Sequence, residues 1–99
     1  MNQLNQEAMR RLYRAVLALK TEDECEAFFS DACTIQETAA IAQRLEVARH
    51  LNAGKNYNEI NRLTGASTAT ICRVSRCIRY GSGGYQTVLK RMEEDHEPG

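Results

Sequence analysis

Apolar residues recur along this chain at the three-and-four spacing of helices, and nowhere with the two-residue alternation of strands. Over residues 3 to 20, Leu4, Ala8, Leu12, Val16 and Leu19 make one stripe, and Met9, Tyr13 and Leu17 make a second. An apolar arc that wide on a short chain predicts contact on more than one side, and hence burial in a partner subunit. Thr21 with Glu24 has the form of a capping box and opens a second helix presenting Cys25, Phe28, Phe29 and Ala32. Thr34 with Glu37 repeats the form ahead of a third helix that runs to about Ala53, with Ile41, Leu45, Ala48 and Leu51 in register and Gly54 as terminator. Asn56 and Glu59 start a short fourth helix, with Ile60 and Leu63 inward and Gly65 at its end. A fifth, capped by Ser67 or Thr68, turns Ile71, Val74 and Ile78 inward and stops by Gly81. The stretch GSGG then leads into a last short helix, YQTVLKRM. The predicted class is all-α, with residues 1–92 as one domain and residues 93–99 as a disordered acidic tail.

The 99 residues, 42% apolar with one Pro and no Trp, suit a helical globule and leave no run of about 18 apolar residues for a membrane span. The N-terminus lacks the apolar run and cleavage site of a secretory signal, which points to the cytoplasm. Four cysteines show no CxxC pair; Cys25 and Cys33 read as core. Cys72 and Cys77 stand about 140° apart around a helix, and His50 and His96 form no ligand set with them, so no metal or other cofactor is expected. Cys72 sits beside Arg73 and Arg76 without an evident resolving thiol, which argues against a redox sensor. No nucleophile and base converge at helical spacing, so an enzyme is not expected.

The formal charge of zero conceals a division. Residues 21–43 carry six acidic and no basic side chains, whereas residues 44–91 carry nine basic and two acidic. Either a polyanion-binding half joined to an acidic half, or signs that interleave in space, would produce this division.

The short fourth helix, the turn at Gly65 and the fifth helix make a helix-turn-helix, the unit whose second helix enters the DNA major groove. Ser67, Thr68, Ala69 and Thr70 give that helix a slim tip that approaches base edges closely, with hydroxyls to hydrogen-bond and methyls to meet thymine. Arg76 and Arg79, further along the outer face, are placed for phosphates. Asn61 stands where many such motifs carry Ala or Gly, which predicts looser packing of the two helices. The GSGG stretch reads as a turn rather than an anion nest.

The segment GASTATICRVSRC resembles the recognition helix of the Trp repressor family, and CTIQE, QRLEVA and YGSGGY resemble its Trp-repressor-like YerC/YecD group over roughly residues 10 to 92. The resemblance implies a six-helix protomer in an intertwined homodimer, with two recognition helices set for adjacent major grooves. It implies DNA contacts at Tyr57, Asn58 and Asn61 in the fourth helix and at Thr68, Ala69, Thr70 and Cys72 in the fifth. By position on the fifth helix, Arg73, Arg76 and Arg79 join them as expected DNA-binding residues. The resemblance also implies an effector pocket: Arg44 and Arg73 match the arginines that sandwich an indole ring, and Thr34 matches a threonine supplied by the other subunit. Both arginines also fit a plain surface or phosphate-binding role. Two positions depart from the family pattern, Val74 replacing glycine and Cys77 replacing serine, so the effector is expected not to be tryptophan. The expected function is a sequence-specific transcriptional regulator, a repressor, with a duplex operator, a second copy of itself and an unidentified small-molecule effector as partners. The alternative is a protein-interaction adaptor that keeps the scaffold without binding DNA.

Overall fold

The computed structural model describes residues 3–96, in six helices: α1 (Gln3–Ala18), α2 (Glu22–Ala32), α3 (Ile35–Asn52), α4 (Tyr57–Thr64), α5 (Thr68–Tyr80) and α6 (Gly84–His96). No strand occurs among the described residues, and none of the helices is long and apolar enough to cross a membrane. The chain divides into two compact units, one up to Thr38 and one from Ala39 onward.

In the first unit, Thr21 caps α2 by accepting from the Glu24 N–H at 3.1 Å. The Glu24 carboxylate reaches one residue further back than a capping box requires, to the Lys20 N–H at 2.8 Å. At the start of α3 the box is complete: Glu37 N–H donates to Thr34 Oγ1 at 3.1 Å and Thr34 N–H donates to Glu37 Oε1 at 2.8 Å. That second bond favours the ionised carboxylate and holds Glu37 below its usual range. Phe28 and Phe29 pack edge to face with centroids 5.6 Å apart. They are half-buried, as are Cys25 and Cys33, while Ala32 is exposed. The apolar side chains of α1 find little cover in the single chain: Met9, Leu12, Tyr13, Val16 and Leu17 are all exposed, Leu17 by 82%.

The second unit holds the core, in which Val47 and Ala48 of α3, Ile60 of α4, Ala66 of the turn, Ile71 and Val74 of α5 and Leu89 of α6 are buried together. Leu45, Leu51, Ile78 and Tyr85 pack around them. Two residues expected inside lie outside. Ile41, half exposed, sits a helical turn before Leu45, beyond the reach of this cluster, and Leu63 is 46% exposed. In α4 the inward neighbour of Ile60 is Thr64, four residues on, whose hydroxyl donates to the Ile60 carbonyl at 2.7 Å. Helix α6 starts at Gly84 and continues through Glu93, Glu94 and Asp95 to His96, so four residues of the expected tail are helical. The other three lie outside the described residues.

Helix α3 ends in a Schellman turn: Gly54 takes φ 84°, its N–H donates to Leu51 O at 3.0 Å, and Lys55 N–H donates to His50 O at 3.2 Å. The side-chain contact that usually seals such a turn is apolar; here Lys55 Nζ donates to His50 Nδ1 at 3.1 Å. An ammonium only donates, so Nδ1 is the acceptor and the ring proton sits on Nε2. Desolvation of the buried ring, then the charges of Lys55 and Arg49, push the His50 pKa down against the opposing pull of Glu46 and Glu59. Between the depressed folded value and the ordinary value of about 6.5, the unfolded chain therefore binds more protons than the folded one. The stability due to neutral His50 is present above that window and lost as the pH falls through it. Thermal melts at pH 7.5 and 5.5 should show a lower midpoint in acid, and His50→Gln should shrink the difference; an unchanged difference would rule His50 out as its source.

Candidate nucleic-acid interface

Helices α4 and α5 pack against each other, and α5 packs on α6. Asn56 caps α4 through Oδ1, accepting from the Glu59 N–H at 2.9 Å, and Gly65 closes it in the left-handed region at φ 73°. Ser67, rather than Thr68, caps α5: its Oγ accepts from the Thr70 N–H at 3.2 Å and donates to Thr70 Oγ1 at 3.1 Å. Ile71 and Val74 are sunk in the core, so the opposite side of α5 must face out. Thr68 and Ala69 are exposed at its tip and Thr70 and Cys72 are half-buried, while Arg73, Arg76 and Arg79 are exposed along its length. Tyr57, Asn58 and Asn61 are exposed on α4.

The turn between the two helices is held by hydrogen bonds, and Asn61, expected to loosen the packing of the two helices, takes part in them. The Asn61 side chain folds onto the turn, where Nδ2 donates to Ala66 O at 2.7 Å, and the Gly65 N–H donates to Asn61 O at 2.8 Å. Thr64 Oγ1 accepts from the Ala66 N–H at 3.1 Å, and Gln43 Nε2, reaching from α3, donates to Thr64 O at 3.2 Å. Sequence reasoning missed Gln43 altogether, because its partner lies 21 residues away. At the far end of α5, a Cβ on Gly81 would run into the Cys77 carbonyl, and Gln86 Nε2 donates to Ile78 O at 2.8 Å. The GSGG stretch is a bend leading into α6, spanned by the Gln86 side chain.

Ion pairing is sparse. Among the described residues Arg49 and Glu46 form the only ion pair, 3.0 Å apart, and it holds Glu46 below its usual range. Arg62, Arg73, Arg76, Arg79, Lys90 and Arg91 reach no carboxylate among the described residues, so their charges are uncompensated at close range.

Of the residues expected around an effector, Arg44 is half-buried, Arg73 and Cys77 are exposed and Val74 is only 1% exposed within the core. Thr34 belongs to the first unit, where its hydroxyl is already used as the cap of α3. A separate cleft of about 340 Å³ lies between the end of α3 and α6, lined by Arg49, Asn52, Ala53, Leu89, Met92 and Glu93. No group of three or more potential metal ligands occurs among the described residues. The four cysteines are free thiols, Cys72 half-buried and Cys77 exposed.

A six-helix fold that buries one side of a helix-turn-helix and presents a slim, arginine-flanked second helix defines an all-α helix-turn-helix protein. The chain belongs to the Trp repressor family, whose pattern, described as Trp repressor protein, matches residues 7–93. Its sequence is 47% identical over 93 residues to the uncharacterized protein YerC of Bacillus subtilis (strain 168), covering 94% of this chain and 89% of that one. Two crystal structures superpose closely. A TrpR like protein from Eubacterium eligens ATCC 27750 has a TM-score of 0.87 at 45% identity, and a candidate Trp repressor from Staphylococcus aureus has 0.86 at 38%. Each comparison covers 94% of this chain and 96% of the other. The family comprises DNA-binding regulators rather than enzymes.

Proposed function

We propose that this protein is a sequence-specific regulator that binds duplex DNA as a homodimer and represses by occupying its operator. The observation that carries this reading is the outer side of α5: small exposed residues at the tip, with Arg73, Arg76 and Arg79 unpaired behind them. Thr68, Ala69, Thr70 and Cys72 meet base edges in the major groove, and Tyr57 and Asn58 of α4 meet the flanking backbone. The arginines bind phosphates and hold the register. None of the tip residues is charged, and readout through bridging water suits side chains of this size. The uncovered apolar side chains of α1 support a second copy as the partner that buries them. Two reading helices in such a dimer stand about 34–36 Å apart, one turn of duplex.

Tryptophan is not the effector in this reading. Val74 fills a core position with its isopropyl group, and the Cys77 thiol is a poor donor and acceptor for an amino acid's ammonium group. Selection from a pool of random duplexes, followed by titration of the winning sequence at several salt concentrations, tests the proposal. Retention should weaken with a log–log slope near −0.9 for each phosphate neutralised. Absence of duplex affinity in dilute buffer would favour the adaptor instead, and a stoichiometric calorimetric isotherm with L-tryptophan would overturn the effector reading.

A further inference from the structure

We infer that Asn61 and Gln43 are positioning residues, which together fix the tip of α5 from within the chain, and that Asn61 does not itself read bases. The inference rests on the duplex-binding reading for its consequence, but its geometry stands apart from it. Thr64, the last residue of α4, is joined to the Ser67 cap of α5 by Gly65 and Ala66, and the three make the turn. Four of their backbone polar groups are held: Thr64 O by Gln43 Nε2, Gly65 N by Asn61 O, Ala66 N by Thr64 Oγ1 and Ala66 O by Asn61 Nδ2. The two side-chain amides come from different helices, α3 and α4, and grip carbonyls two residues apart on either side of the left-handed Gly65. Ala66, 1% exposed, pins the end of the same turn in the core. A backbone gripped at both ends and buried at the second of them is held to one path, and the direction of the Ser67 to Thr70 tip follows from it.

This assigns Asn61 a role that its exposure alone does not suggest. An asparagine reads adenine by using its NH2 and its carbonyl oxygen together. Here one of the two Nδ2 hydrogens is committed to Ala66 O at 2.7 Å, which ties the amide to the turn instead of leaving it free to align with a base edge. Swinging the amide onto a base edge would compete with that bond.

Asn61→Leu and Gln43→Met keep side-chain size and remove the donors. If these residues position, each variant weakens a selected duplex and an unrelated duplex by the same factor, roughly fivefold to tenfold for one hydrogen bond of about 1 kcal/mol. The ranking of sequences and the salt slope stay as in the parent chain, since no base contact or phosphate contact is lost. Amide hydrogen exchange on the free protein provides an arm that needs no DNA. Exchange at Gly65, Ala66 and Thr70 should quicken in both variants, while Val74 and Ser75 later in α5 keep their protection. A change in sequence preference for Asn61→Leu, or a flattened salt slope, would make Asn61 a contact residue and overturn the assignment. Unaltered exchange at the turn would also overturn it. A parent chain that binds no duplex, combined with faster exchange at the turn, would sink the duplex-binding reading and leave the brace standing.

Discussion

Replacing Arg73, Arg76 and Arg79 together with alanine is expected to reduce duplex affinity by roughly a hundredfold or more at 0.1 M salt, while the helical content is kept. The size follows from counterion release: three phosphates freed from neutralisation lower the log–log salt slope by about 2.7, and the loss applies to every sequence alike. Alanine is a good helix former, and none of the three guanidinium groups has a carboxylate partner among the described residues, so the fold loses no ion pair. Thr70→Ala is the contrasting case. It removes a hydroxyl from the tip and should reorder preference among duplexes with a smaller change in mean affinity. Fluorescence anisotropy on a selected and an unrelated duplex, at four salt concentrations, separates the two patterns. Equal losses from both variants on every duplex would mean that the division of roles along α5 is wrong.

The largest effect on stability is expected at Val74. Val74→Gly should cost about 3–4 kcal/mol, combining a cavity at a position that is 1% exposed with the penalty for glycine inside a helix. For a chain whose total stability is of the order of 5–15 kcal/mol, a loss of that size shifts a urea midpoint far enough to measure without ambiguity. The same loss should be seen by circular dichroism and by tyrosine fluorescence of Tyr85, which packs against the core. A loss below about 1 kcal/mol would mean that the core around Val74 collapses to refill the space, and that the side chain is not the filler proposed here.

What could be read from the sequence was what neighbouring residues decide among themselves. Thr34 with Glu37, Asn56 with Glu59 and Gly54 and Gly65 as terminators are local chemistry, and all act at the expected places. The choice between Ser67 and Thr68 remained open in sequence because both can cap, and geometry selects Ser67. Apolar periodicity did less well where a helix is short or extends past the core. Leu63 fits the stripe of α4 as well as Thr64 does, and only the position of the other helices decides between an inward threonine and an outward leucine. Val47 and Ala48 are both fully buried, one more adjacent position than the expected stripe allowed. The bond from Gln43 to Thr64 spans 21 residues and has no local signature. Asn61 was visible as an oddity, but whether a polar side chain props two helices apart or folds back on the turn depends on an acceptor that only the folded turn supplies.

Lys55 alone separates the glycine that ends α3 from the asparagine that caps α4. A joint with one residue of slack couples the turn at Gly54 directly to the Asn56 cap, so an added residue would change the direction in which α4 leaves α3. On the duplex-binding reading, such a joint favours reaching new target sites by exchanging side chains on α4 and α5 over lengthening the hinge ahead of the motif.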